Sequence, residues 1–258
     1  MIVKQITMES KTRILFDLVT KKRFFILGYH SIIDDPADPW SISPDEFSAQ
    51  MTIIAKKKIR VLSLDYCINQ LQQGIVPGNS VVITFDDGYR NFLQNAVPIL
   101  QKHNFHATLF VPVNNIGKIS SWSKPESKRN LLEWSDLKDI AQLGYSIGSH
   151  GLNHVDLTSL ETIDMSEEII DSKKILEDRL GNPVYSFACP YSKCSEREAI
   201  EIERAGYLCS CGPGKKYGNG LMTDKFMLGR SFIHKHDSHQ DFINQINGYS
   251  FIIRKFSK

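Results

Sequence analysis

Two aspartates stand side by side in VVITFDDGYRN, where an apolar run from Val81 to Phe85 stops at Asp86 and Asp87. Neighbours on an extended backbone point in opposite directions. A division of labour between the two carboxylates is therefore natural. Gly88 lets the chain turn sharply after them. Further along, SHGLNH puts His150 and His154 at a spacing that brings two imidazoles to one face of a helical turn. Two imidazoles and a carboxylate make a three-ligand metal set that leaves positions open for water and substrate. A third stretch, SFACPYSK, ends an apolar run at Pro190 and Tyr191. The proline fixes the turn and leaves the Tyr191 backbone N–H to point into a site. Each stretch alone also fits a plain role: a solvated Asp-Asp-Gly turn, a structural histidine, an exposed tyrosine.

The elements that must position these residues alternate in type. Strands are expected at Phe24 to Tyr29, Arg60 to Ser63, Val81 to Phe85, Ala107 to Val111, Tyr145 to Ser149, Tyr185 to Ala188, Tyr207 to Ser210 and Leu228 to Phe232. Helices are expected between them: Ser43-Pro44-Asp45-Glu46 opens one through about Lys57 by a capping box, and Leu64 to Gln73 stops at Gly74. Further helices run from Asn91 to His103, from a cap at Ser135 to Leu143, and from about Thr162 to Leu180 before Gly181 and Pro183. Ser195 with Glu198 caps a helix to Ala205, and Ser238 begins one to about Tyr249. A regular strand-then-helix order predicts parallel strands with helices outside. Seven or eight of them in one chain favour a barrel, and in such folds catalytic groups sit at the carboxyl ends of the strands. Asp86, His150 and Pro190 all fall there.

The chain of 258 residues with 41% hydrophobic content can fill one sizeable core. Its 31 basic and 29 acidic residues leave a net charge of +2, which gives no reason to expect nucleic acid as a partner. No stretch matches the roughly 18 apolar residues of a membrane helix, so no stable membrane insertion is expected. Residues 1–25 mix charges among apolar residues, and the chain is read as cytoplasmic, with Lys4, Lys11, Arg13, Lys21, Lys22 and Arg23 as a solvated basic segment. The five cysteines are expected as free thiols, with Cys209 and Cys211 assigned to opposite faces of a strand. The glycine-rich segment Gly212 to Gly220 reads as a surface loop.

TFDDGY, SHGLNH and FACPY, in that order, resemble the signature motifs of the polysaccharide deacetylase family. FILGYHSI, SPDEF, PILQKHNFHATLFVP, LEWSDLKDIAQLGYSIGSH and LGRSFIH extend the likeness over residues 24–235. The resemblance implies a distorted (β/α) barrel of about seven parallel strands in one domain, 24–249, flanked by an extension, 1–23, and a tail, 250–258. It implies a metal-dependent hydrolase that removes an N-acetyl group from an N-acetylated sugar or glycan intermediate, with zinc as the expected ion. Asp87, His150 and His154 match its metal ligands, and Asp86 its catalytic base. Tyr191 matches the residue whose backbone N–H helps to hold the oxyanion, and Pro190 with Arg230 is assigned to substrate contact.

Several positions depart from the family pattern. Many members carry an arginine two residues before the motif proline, where it orients the base; this chain has Ala188. The Asp-Trp motif that partners that arginine has no counterpart in Leu208 to Leu221. Ser192 replaces a glycine, and Gly151 and Val155 replace the usual Ser or Thr and Pro. The late Leu-x-His motif that supplies the acid has no match either, and His30 in GYHSI is the expected general acid. Arg230, on the last strand, is expected to reach substrate or a carboxylate. The alternatives are hydrolysis of a formyl or other small amide by the same residues, or a silent glycan-binding barrel.

Overall fold

A computed structural model describes residues 23–124, 127–213 and 218–247. Eight parallel strands form a nearly closed barrel, in the order β10-β9-β8-β7-β6-β5-β1-β11. They are β1 (Phe24–Tyr29), β5 (Ser80–Phe85), β6 (Thr108–Val111), β7 (Ser146–Ser149), β8 (Ser186–Ala188), β9 (Cys209–Gly212), β10 (Leu228–Gly229) and β11 (Ser231–Phe232). A short β4 (Arg60–Val61) pairs with the start of β5, and β2 (Ser31–Ile32) pairs with β3 (Ser41–Ile42) beside the barrel. Closure depends on a single stretch broken at Arg230. Leu228 and Gly229 pair with Cys211 and Gly212, whereas Ser231 and Phe232 pair with Leu27 and Gly28. The expected strand Leu228 to Phe232 is therefore two strands, each serving a different edge. Gly28 is where β11 can meet β1, because a Cβ there would lie 2.6 Å from the Phe232 ring.

Strand residues alternate between two cores, as a period of two requires. Phe24, Ile26, Val82, Phe110, Ala188 and Leu228 fill the inside, with Leu64, Cys67 and Ile68 of α2 (Leu64–Gln72) added. Phe25, Leu27, Tyr29, Val81, Ile83 and Phe85 face outward to the helices. Cys209 and Cys211 both join the inner set, which corrects their assignment to opposite faces: residues two apart on a strand share a face. All five cysteines are free and buried.

The helices are α1 (Pro44–Lys56), α2, α3 (Val97–Lys102), α4 (Trp134–Gln142), α5 (Thr162–Leu180), α6 (Glu196–Arg204) and α7 (His239–Ile246). Ser43 accepts the Glu46 N–H as expected, but the Glu46 carboxylate turns to Gln50 and His239 instead of completing the capping box. The helix expected from Asn91 begins as a π-turn, Phe92–Ala96, before α3. Pro98 lacks the N–H that a regular turn would use there, and Asn91 and Asn95 are drawn to Ile32 and Ser31. α4 is capped by Glu133, not Ser135. β9 lies two residues later than expected, because Tyr207 reaches from the turn to hydrogen-bond the Ile169 carbonyl at 3.1 Å. The segment read as a surface loop is partly core: Gly212 lies in β9, and Asn219 is buried, exchanging backbone hydrogen bonds with Phe24. No described helix is long and apolar enough to cross a membrane. The basic N-terminal stretch 1–22, the tail 250–258 and the expected helix end at Tyr249 lie outside the described residues.

Candidate active site at the carboxyl rim of the barrel

The Asp86 N–H donates to the Tyr29 carbonyl at 2.9 Å, continuing the β1–β5 ladder by one residue. Asp87 and Gly88 then take φ of 72° and 68°, and Leu132 N–H caps the Gly88 carbonyl at 2.9 Å. Two successive left-handed residues swing the chain across the rim, a conformation that glycine adopts freely and aspartate tolerates. The adjacent carboxylates diverge as a result. Asp86 faces Arg230, and Asp87 faces the two histidines.

The histidine segment is not the helical turn that its spacing suggested. Gly151 has φ 77° and His154 φ 57°, and residues 150–155 form no helix. Both imidazoles nevertheless reach one carboxylate: Asp87 Oδ1 lies 3.1 Å from His154 Nε2 and 3.6 Å from His150 Nε2. Loop geometry replaces helical periodicity, and Glu168 of α5 enforces it. Its buried carboxylate accepts the Leu152 N–H at 2.8 Å, the Asn153 N–H at 3.0 Å and the Asn153 side-chain amide. His150 Nδ1 donates to the Ala188 carbonyl at 2.6 Å, which turns the bare Nε2 inward.

Asp87, His150 and His154 are all buried, and one potential ligand atom from each lies within 4.8 Å of the others. Nitrogen and oxygen donors of this kind suit a divalent transition metal. Burial pushes the His150 pKa down to about 4, so the imidazole is neutral as a ligand must be, and its approach to Asp87 is not an ion pair. Asp87 would be pushed up by burial, but the His154 hydrogen bond and charge outweigh this and hold it well below the carboxylate range.

Arg230 meets a carboxylate. Its Nη1 and Nη2 donate to Asp86 Oδ1 and Oδ2 at 2.6 and 2.8 Å, while its guanidinium lies 4.6 Å from the Phe232 ring centroid. Burial opposes ionisation of Asp86, yet Arg230 and the nearby histidines more than offset it and lower its pKa. Of the two contacts expected for it, substrate or a carboxylate, Arg230 makes the second: it is 3% exposed and paired with Asp86 at the wall of the cleft. Pro190, assigned to substrate contact, is buried; its neighbours Tyr191 and Ser192 line the cleft, at φ 57° and 54°. Ser192 N–H returns to the Cys189 carbonyl and Lys193 N–H to that of Pro190, closing the turn on which Tyr191 stands.

These groups line one cleft of about 680 Å³. His30 lies on its wall, ring centroid 4.9 Å from Trp40 and 5.4 Å from Phe232, with a buried Nδ1 that has no partner among the described residues. Trp40 and Trp122 were missed by motif reasoning. A tryptophan alone in a polar loop such as SSWSKPE was the available signal. Arg129 fastens the two loops that carry them, pairing with Asp35 and, at 3.0 Å, with Asp38.

A family model for polysaccharide deacetylases matches residues 73–209. Over 183 residues the chain is 31% identical to YxkH of Bacillus subtilis (strain 168), covering 70% of this chain and 61% of that one. It is 24% identical over 178 residues to the poly-beta-1,6-N-acetyl-D-glucosamine N-deacetylase of Staphylococcus aureus (strain MSSA476), covering 65% and 59%. The chain thus spans about 60% of the length of these relatives. Among solved structures, the Streptococcus pyogenes deacetylase PplD in complex with acetate superposes with a TM-score of 0.76 at 22% identity, covering 87% of this chain and 98% of that one. With the family model spanning more than half its length, this chain belongs to the polysaccharide deacetylase family.

Proposed function

We propose that this protein hydrolyses the N-acetyl group of an N-acetylated sugar or glycan with a divalent metal held by Asp87, His150 and His154, zinc being the ion best suited to two imidazoles and a carboxylate. The observation that carries this reading is the meeting of that ligand set with a second, separately held carboxylate, Asp86, on the wall of one cleft. The name of the Staphylococcus aureus relative, an N-deacetylase of an N-acetylglucosamine polymer, supports the substrate class.

A metal held by Asp87, His150 and His154 would supply polarisation of the amide carbonyl and a water made nucleophilic near neutral pH. Asp86, ionised and clamped by Arg230, accepts the proton that the attacking water loses. The Tyr191 backbone N–H stabilises charge developing on the carbonyl oxygen, a kind of donor worth roughly 3–4 kcal/mol when well placed. His30, on the cleft wall, delivers a proton to the departing amine. The aromatic faces of Trp40 and Tyr191 fit the apolar face of a sugar ring.

The test is release of acetate, assayed beside formate, over a panel of N-acetylated and N-formylated sugars and short oligosaccharides, before and after chelation and zinc return. Acetate release that chelation abolishes and zinc restores is expected. Formate release alone, or turnover indifferent to chelation, would refute the proposal.

A further inference from the structure

The three ligand side chains are not held in the same way. His150 has a strand carbonyl behind it, at 2.6 Å. His154 has no such support: its Nδ1 is buried without a partner among the described residues, whereas metal-binding histidines ordinarily fix their ring by a hydrogen bond from the second nitrogen. Asp87 turns Oδ1 to both imidazoles and must settle Oδ2 elsewhere. The Tyr89 hydroxyl also interacts with the Asp87 carboxylate, but Trp122 is the side chain that touches both Asp87 and His154. The Trp122 indole N–H donates to Asp87 Oδ2 at 3.2 Å, and its ring lies on His154 at a centroid distance of 4.1 Å and an interplanar angle of 21°. Tyr191 also meets His154 edge-on, at 4.8 Å and 68°.

Resting on the metal-site reading above, we infer that Trp122 is a positioning residue for the metal centre: it reserves Asp87 for binding through Oδ1 alone and fixes the ring plane of His154. Its loop is held independently of the ligands. Ile119 and Asn130 form an antiparallel bridge, Ser120 N–H donates to the Arg129 carbonyl at 2.9 Å, and Arg129 is anchored on Asp38. Trp122 is itself half-buried, so its replacement leaves the barrel core intact. The hydrogen bond and the stack are separable by substitution. Phenylalanine keeps a flat face and loses the N–H, alanine loses both, and histidine restores a ring N–H.

The experiment measures Zn2+ affinity by competition with a chromophoric chelator and records the visible spectrum of the Co2+-loaded protein, with melting of the metal-free protein as the folding control. Trp122→Phe should bind Zn2+ roughly tenfold or more weakly, the usual cost of losing an outer-sphere partner. It should also shift the Co2+ bands, because Asp87 is freed to bind through both oxygens. Trp122→Ala should bind more weakly still, and Trp122→His should recover part of the loss. Affinity within about twofold of the parent in Trp122→Phe, with an unchanged Co2+ spectrum, would overturn the inference, since outer-sphere loss ordinarily costs at least tenfold. A parent chain that takes up neither ion would fail differently, removing the metal-site reading together with the role built on it.

Discussion

Arg230 grips Asp86 through two parallel hydrogen bonds, 2.6 and 2.8 Å, across 144 positions of sequence. It stands at the break between β10 and β11 where the barrel closes, so closure and the orientation of the carboxylate rest on one residue. In many members of the family an arginine two residues before the motif proline orients the base, and this chain has Ala188 there. Ala188 packs inside the barrel and gives its carbonyl to His150. The guanidinium that meets Asp86 comes instead from the stretch between β10 and β11.

Replacing Arg230 with methionine should therefore slow turnover and change its pH dependence together. Breaking a buried ion pair by removing one partner costs about 3–5 kcal/mol of stability, and Asp86, left buried without its main counter-charge, should titrate higher. The acidic limb of kcat/KM should move to higher pH while Zn2+ binding is retained. Arg230→Lys should rescue only in part, because an ammonium cannot form the two-pronged contact. An unmoved acidic limb would mean that Asp86 is not the group whose ionisation limits the reaction.

The two adjacent aspartates should separate cleanly. Asp87→Asn alters the carboxylate to which both imidazoles point and should abolish stoichiometric zinc. Asp86→Asn should retain zinc and reduce kcat by roughly 10²–10⁴-fold, the scale of a lost general base. Since that change strands Arg230, the pair Asp86→Asn with Arg230→Met is the better-folded partner for comparison; it should be inactive and still bind zinc. Metal analysis and acetate release on the same samples check both outcomes.

The alternation of strands with helices and the barrel class were legible because parallel strands buried on both faces read as continuous apolar runs, and the motif residues sit where those runs stop. Asp87, His150 and His154 could be named for the same reason. Their geometry could not: His150 and His154 converge through positive φ at Gly151 and His154 and through a brace from Glu168, none of which periodicity encodes. Glu168 reads in sequence like any acid on a charged helix. The Arg230–Asp86 pair was invisible as a pair because long-range contacts leave no local trace, and Trp122 stood out in its polar loop without any local sign of what it would touch.

His150 should make metal-free protein sensitive to mild acid. Its pKa falls from 6.5 to about 4 on burial, so between those values the unfolded chain binds a proton that the folded one does not. Stability should be insensitive to this group above pH 6.5, fall as pH drops towards 4, and lose roughly 2–4 kcal/mol over that window. Asp86, whose pKa is lowered, acts in a separate window: its stabilisation is present above the ordinary carboxylate pKa and is lost only as pH falls below it. Urea titrations of chelated protein at stepped pH check the prediction, and His150→Gln should flatten the upper window alone.

Glu168 should matter more to the metal site than its place on a solvent-facing helix suggests. It is buried, and it takes two backbone N–H groups and a side-chain amide from the segment between His150 and His154. Hydrogen bonds to a charged acceptor contribute about 1.5–3 kcal/mol each, and the donors left behind are poorly placed for water. Glu168→Ala should therefore cost roughly 2–4 kcal/mol, a fall of several degrees in Tm for a chain of this size. Its Zn2+ affinity should fall as well, because His154 follows directly on the loosened Asn153. Glu167, next to it and exposed, is the control: Glu167→Ala alters neither quantity if the effect comes from the brace and not from helix charge. Equal losses in the two variants would mean that the loop holds its shape without Glu168, and that the convergence of the histidines is set by Gly151 and His154 alone.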